Sequence, residues 1–270
     1  MALIEVNGTT LAYDDAGDGD PVVLVHGSWN QRQAWMFFVP ELSSSFRVIS
    51  YDRRGHGEST AEPTDGTIHD DIADLAGLID KLGIGPAHVV GNSYGAIVSL
   101  SVTAAHPDIV RKVVAHEPPL MPLLEADPAT KPIADEQGRL LGEVRARLEA
   151  GDHAGAAEYF VENVALGPGA WAQLPQPARD TFVANALTYL GELRDPDALH
   201  ADLDALARTT VPVLLSQGDR SPAMFGPILD RVAAALPGAK RVTIAGAGHI
   251  PHMTHPGDYG PIVRSFLLDA

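Results

Sequence analysis

The stretch that most constrains this chain is Val89-Val90-Gly91-Asn92-Ser93-Tyr94-Gly95. An apolar run ends in Gly-x-Ser-x-Gly, and a helix-like segment from Ala96 to Val102 follows at once. A strand that turns this abruptly into a helix has no room for side chains beside the serine, and glycine at 91 and 95 has no Cβ to collide. The turn lifts the Ser93 hydroxyl clear of the sheet. It also sets that hydroxyl at the positive end of the next helix, where unpaired backbone N–H groups can bind an anion.

The rest of the chain repeats that rhythm. Asn7-Gly8 separates two short strand patterns, so residues 3–15 read as a hairpin. Pro21-Val22-Val23-Leu24-Val25, Phe46-Arg47-Val48-Ile49-Ser50-Tyr51 and Val110-Arg111-Lys112-Val113-Val114-Ala115 are runs of strand length. The continuous apolar ones suit strands buried on both faces. Between them, residues 68–82 carry Ile72, Leu75, Leu78, Ile79 and Leu82 at helical spacing. Strands alternating with helices predict a parallel sheet covered on both sides, with working residues beyond the carboxyl ends of the strands. Those ends carry His26-Gly27-Ser28, Asp52-Arg53, Ser93 and His116-Glu117.

After Pro118-Pro119 the pattern changes. Residues 121–197 hold three helical stripes: Leu140/Leu141/Val144/Leu148, Ala157/Phe160/Val161/Val164, and Phe182/Val183/Ala186/Leu187/Leu190. Strand patterns resume at 211–216 and 241–244, and a short helix around Ile262 and Phe266 closes the sequence. The expected organisation is a core of residues 1–120 and 198–270 with a helical cap, 121–197, inserted between strands.

Charge and composition narrow the partners. At 270 residues, 45% of them hydrophobic, the chain can bury a full core. A net charge of -16 spread along the sequence argues against nucleic acid or an anionic membrane surface. With no cysteine, disulfides, thiolate metal sites and a cysteine nucleophile are excluded. The first residues lack a basic segment followed by an apolar core, and no apolar stretch approaches a membrane span, so a cytoplasmic location is expected. The sequence leaves a homodimer open.

His26-Gly27, Asp52-Arg53-Arg54-Gly55-His56-Gly57-Glu58-Ser59, Gly91-Asn92-Ser93-Tyr94-Gly95 and Gly246-Ala247-Gly248-His249, in that order, resemble the α/β-hydrolase fold superfamily nearly end to end. The resemblance implies that fold, a mostly parallel sheet flanked by helices, with Ser93 as nucleophile and His249 as its base. It makes His26 and His56 structural hydrogen-bonders. A metal site built from His249, His252 and His255 is weighed and set aside, since no carboxylate or ordered helix accompanies them.

The acid that orients His249 has two candidates. The usual position in the superfamily follows the 211–217 strand in a Gly-x-x-Asp pattern, but here Gly218-Asp219-Arg220-Ser221 puts a serine there. Asp219 lies two positions early. Some serine lactonases of the superfamily carry the acid one strand earlier, where this chain has His116-Glu117-Pro118-Pro119, so Glu117 is expected and Asp219 held in reserve. The oxyanion hole is expected from the N–H groups of Tyr94 and Ser28, with Trp29 as the fallback for the second. Trp29 and Trp35 are expected to line the pocket or pack the loop.

The expected activity is cofactor-free and metal-free hydrolysis of a carboxylic ester or lactone through an acyl-enzyme, on a mid-sized hydrophobic substrate suggested by the apolar content of the cap. Relatives that open epoxides or displace halides place an aspartate at the elbow, where this chain has Ser93. A thioesterase or acyltransferase would use the same triad, and a ligand receptor on the same fold is the rival of a different class.

Overall fold

The computed structural model describes residues 1–269. Among them an eight-stranded sheet runs in the order β1-β2-β4-β3-β5-β6-β7-β8. The strands are β1 (Ala2–Val6), β2 (Thr9–Ala16), β3 (Asp20–Val25), β4 (Phe46–Tyr51), β5 (Ala87–Asn92), β6 (Val110–His116), β7 (Val213–Gly218) and β8 (Lys240–Ile244). β1 and β2 pair antiparallel, β2 joins β4 antiparallel, and from β4 through β3 to β8 every pairing is parallel.

The apolar runs form strands because the sheet is buried on both faces. Along β3, Val23 and Val25 face one core while Val22 and Leu24 face the other. The same alternation places Val89, Val113 and Leu215 on the first side and Val90, Val114 and Leu214 on the second. Helices α1 (Ile68–Lys81), α2 (Tyr94–Ala105) and, after β7, one over Phe225–Ala235 cover the first face. The second face is covered by Trp35, Phe38 and Leu42 with Tyr259, Val263, Phe266 and Leu267 of the last helix, Pro256–Leu268. Each such side chain contributes about 1.5–3 kcal/mol on burial. α1 starts where it does because Thr67 and Asp70 form a reciprocal capping box.

Between β6 and β7 lie α3 (Lys131–Glu149), α4 (His153–Phe160), α5 (Gln176–Ala184) and α6 (Ala186–Arg194). They pack a core of their own around Leu140, Val144, Leu148, Ala157, Tyr189 and Leu190. The third helical stripe of the sequence is two helices, broken at Asn185. There the side-chain amide turns aside to bond the Asn30 and Thr181 carbonyls at 3.3 and 3.1 Å. The helix after β7 (α7) begins at Phe225, and the last (α8) begins at Pro256, six residues before Ile262. Among the described residues, no helix is long and apolar enough to cross a membrane.

Candidate active site

Ser93 stands between β5 and α2 with φ 57° and ψ −124°, backbone angles unusual for a residue with a side chain. The neighbours that hold it there are the two glycines. A Cβ on Gly91 would fall within 3.0 Å of the Gly95 carbonyl, and one on Gly95 within 3.0 Å of the carbonyls of Val25 and His26. The Ser93 N–H donates to His116 O at 2.9 Å, tying the elbow to the end of β6. Tyr94 N–H lies in the first turn of α2, where a helix supplies no acceptor of its own.

His249 reaches the site on the loop after β8. Asn92 Nδ2 donates to its carbonyl at 2.9 Å, and its ring stacks on Phe225 at 4.7 Å. Its Nδ1 is 2.6 Å from Glu117 Oε2. Glu117 is completely buried at the end of β6, with φ 49°, and its other oxygen accepts the Gly218 N–H at 2.7 Å. Burial alone would raise the Glu117 carboxyl. The His249 hydrogen bond and the neighbouring imidazoles outweigh it, and the group sits below the usual carboxylate range.

Asp219 does not reach this cluster. It is exposed, and its Oδ1 accepts the Gly246 N–H at 2.8 Å, bracing the turn that leads toward His249. His116 Nδ1 is 3.0 Å from Ser216 Oγ, while its Nε2 has no hydrogen-bond partner and lies 3.7 Å from Glu117. Burial lowers His116 to about 4, so its ring is neutral near pH 7.

His116, Glu117 and His249 have donor atoms within 4.8 Å of one another, close enough to share an ion. The lone pairs an ion would need are those of the 2.6 Å hydrogen bond, so a metal and that bond compete. His252 is instead buried against Trp35, ring centroids 4.3 Å apart, and His255 Nδ1 meets Thr254 Oγ1 at 2.9 Å. The two do not converge with His249 on a common centre.

On the opposite side of Ser93 the loop after β3 carries Ser28 and Trp29. The Ser28 hydroxyl donates to Glu192 Oε2 of α6. Trp29 departs from one expectation. Its ring is fully buried against Tyr189 (4.8 Å), Phe160 (5.2 Å) and Phe182 (6.3 Å), and it lines neither cavity described below. The indole belongs to the core of the inserted helices, and the residue itself has a φ of 63°.

Sequence reasoning missed Glu192, and it placed Arg53 at a strand end without its partner. The buried Arg53 guanidinium binds Asp71 at 2.9 Å, Glu192, and His56 Nε2 at 3.1 Å, and lies 4.4 Å from the centre of the Tyr94 ring. Burial pushes Glu192 up to about 7, against the pull of Arg53 and Ser28. The one hint in the sequence is a glutamate next to Gly191 in a mostly apolar helix, which does not name a partner 139 positions away. His26 and His56 hold structure, as expected. His26 Nε2 accepts the Arg53 N–H at 3.0 Å, and His56 Nδ1 lies 2.9 Å from Arg54 O.

Two cavities meet at Ser93. One, of about 210 Å³, is walled by Leu141, Leu199, Met224 and Phe225 with Glu192 at its side. The other, of about 260 Å³, runs between the loop after β3 and α5. Ser28, Ser93, Phe160, Ala165 and His249 belong to both walls. A hydroxyl on a strained turn, an imidazole held by a buried carboxylate and two chambers on either side can activate an oxygen nucleophile against a substrate that spans both.

Comparison with known proteins agrees with this architecture. A family model described as the alpha/beta hydrolase family matches residues 22–259. The chain is 35% identical over 107 residues to (E)-2-((N-methylformamido)methylene)succinate hydrolase of Acinetobacter baylyi, a match covering 40% of this chain and 41% of that protein. It is 28% identical over 266 residues to 2-(acetamidomethylene)succinate hydrolase of Mesorhizobium japonicum, covering 94% and 90% of the two chains. Among solved structures, the enol-lactonase from Burkholderia xenovorans superposes with a TM-score of 0.79 at 25% identity, covering 99% of this chain and 100% of that one.

Proposed function

The chain belongs to the alpha/beta hydrolase family, and from that premise we propose that it is a serine hydrolase that cleaves a carboxylic ester or lactone through an acyl-enzyme. Ser93 attacks the carbonyl while His249 takes its proton, and the imidazolium so formed is held by Glu117. The alkoxide that develops is met by the N–H groups of Tyr94 and Ser28. His249 then returns the proton to the leaving oxygen, and water, activated by the same imidazole, releases the acid.

The observation that carries this reading is the 2.6 Å contact between His249 Nδ1 and the buried Glu117 carboxylate, with the His249 ring on the same cavity walls as the strained Ser93. It fixes which ring nitrogen carries the proton and leaves Nε2 as the base. An ester or lactone is favoured because the cavity walls are largely apolar, and among the relatives one is named an enol-lactonase. Residues 121–197 act as a cap in this reading, since Phe160 and Ala165 of that segment border both chambers.

The test is covalent labelling. A fluorophosphonate should modify Ser93 in the wild type and leave Ser93→Ala unmodified, with hydrolysis of p-nitrophenyl esters lost in the variant. An unlabelled Ser93 together with intact p-nitrophenyl esters of every chain length would remove the proposal.

A further inference from the structure

The charges around the two chambers are one-sided. Among the described residues, neither wall includes a lysine or an arginine. The 210 Å³ chamber is bordered by Glu125, Glu192 and Asp195. The 260 Å³ chamber has no carboxylate, and its wall combines apolar groups such as Leu166, Phe182 and Met253 with the uncharged amides of Asn30, Gln31 and Gln33. The guanidinium that approaches the site, Arg53, is itself buried and engaged by Asp71, Glu192 and His56. Of the wall histidines, His249 is held by Glu117, and His200 is exposed.

A carboxylate carried into either chamber would lose its hydration and meet no cation in return. In the first chamber it would also face like charge. Uncompensated burial of an ion costs several kcal/mol, far more than the gain from a few extra apolar contacts. An alkyl or aryl arm, by contrast, loses only water from its surface.

We propose that the site takes uncharged esters or lactones with two apolar arms, one in each chamber, and rejects substrates bearing a carboxylate on either arm. The inference rests on the hydrolase reading above and names its substrate class. Phe160, present on both walls, marks the divide, and the scissile carbonyl sits at the junction beside Ser93.

Two matched pairs test it. p-Nitrophenyl hexanoate against mono-p-nitrophenyl adipate places the charge on the acyl arm. Hexyl acetate against its ω-carboxylate analogue places it on the alcohol arm. In each pair the neutral ester should have the higher kcat/KM by about 100-fold or more. A carboxylate member within threefold of its partner overturns the inference. Binding of the same four compounds to Ser93→Ala, read as a shift in melting temperature, separates charge selection from turnover. The neutral members should stabilise the variant and the charged ones should not. If the wild type hydrolyses none of them but the variant shows this discrimination, the hydrolase reading fails and the charge selection stands. If the variant binds the charged members as well as the neutral ones, or binds none of the four, the inference falls. Glu125→Lys, which puts a cation on the wall of the first chamber, should narrow the kcat/KM gap about tenfold in one pair and not in the other, and so report which arm occupies that chamber. An unchanged gap in both pairs counts against it.

Discussion

Two buried glutamates flank Ser93, and they ionise in opposite directions. Glu117 accepts one backbone N–H and the His249 ring, each partner serving it directly, and its carboxyl is held low despite burial. Glu192 shares its Arg53 with Asp71, and both Asp71 and Asp195 push against it, so burial prevails and it rises to about 7. Both side chains are buried. What differs is how many carboxylates divide the available positive charge, and that difference leaves one glutamate ionised at neutral pH and the other titrating near neutrality.

The largest break in this comparison should come from Glu117→Gln. The amide keeps the shape and the bond from Gly218 but cannot balance an imidazolium, so kcat/KM should fall about 10⁴-fold. Ester kinetics and the rate of fluorophosphonate labelling should fall together, with an unchanged circular dichroism spectrum. A loss of less than tenfold would mean that another group orients His249.

Glu192→Gln should act mainly on stability. Because the folded-state value is raised from 4.5 to about 7, the favourable contribution of Glu192 is complete below pH 4.5 and is lost as pH rises through 7. The variant has no such slope, and should gain about 3 kcal/mol relative to the wild type between those limits, measured by urea unfolding across the pH series. Glu117 works in the other window. Its depressed value gives stability that is present at neutral pH and lost as pH falls through the acid range.

Asp71→Asn sharpens the contrast with a smaller effect. It removes a competing carboxylate while leaving an oxygen for Arg53, so the Glu192 step should move to lower pH in the same unfolding series. Smallest of all is Asp219→Asn. An asparagine oxygen still accepts the Gly246 N–H, and kcat/KM should stay within about threefold of the wild type. A collapse of activity there would reverse the roles given to Asp219 and Glu117.

The two sides of Ser93 were also unequally legible. Ser93 and His249 could be read because their geometry is local: glycines at fixed offsets make the sharp turn, and a glycine-rich loop after the last strand can travel. Glu117 was legible at one remove, from its place at a strand end and a serine where an aspartate is usual. The Arg53–Glu192 pair was not legible, since its partners come from a β4-end turn and a helix of the inserted segment whose packing no periodicity encodes. Trp29 shows the same limit. Its neighbourhood could be inferred, but whether the indole faced substrate or core depended on aromatic partners more than a hundred residues away.

From the sequence alone came the order of strands and helices and the bend at Ser93. These follow from patterns at spacings of two, three and four residues, which the backbone enforces wherever the chain goes. Only the tertiary structure decided that two chambers without a basic side chain meet at that hydroxyl, and which of two buried carboxyls keeps its charge. Both depend on groups brought together across a hundred or more residues, where solvation and competition for a shared cation are properties of the packed molecule.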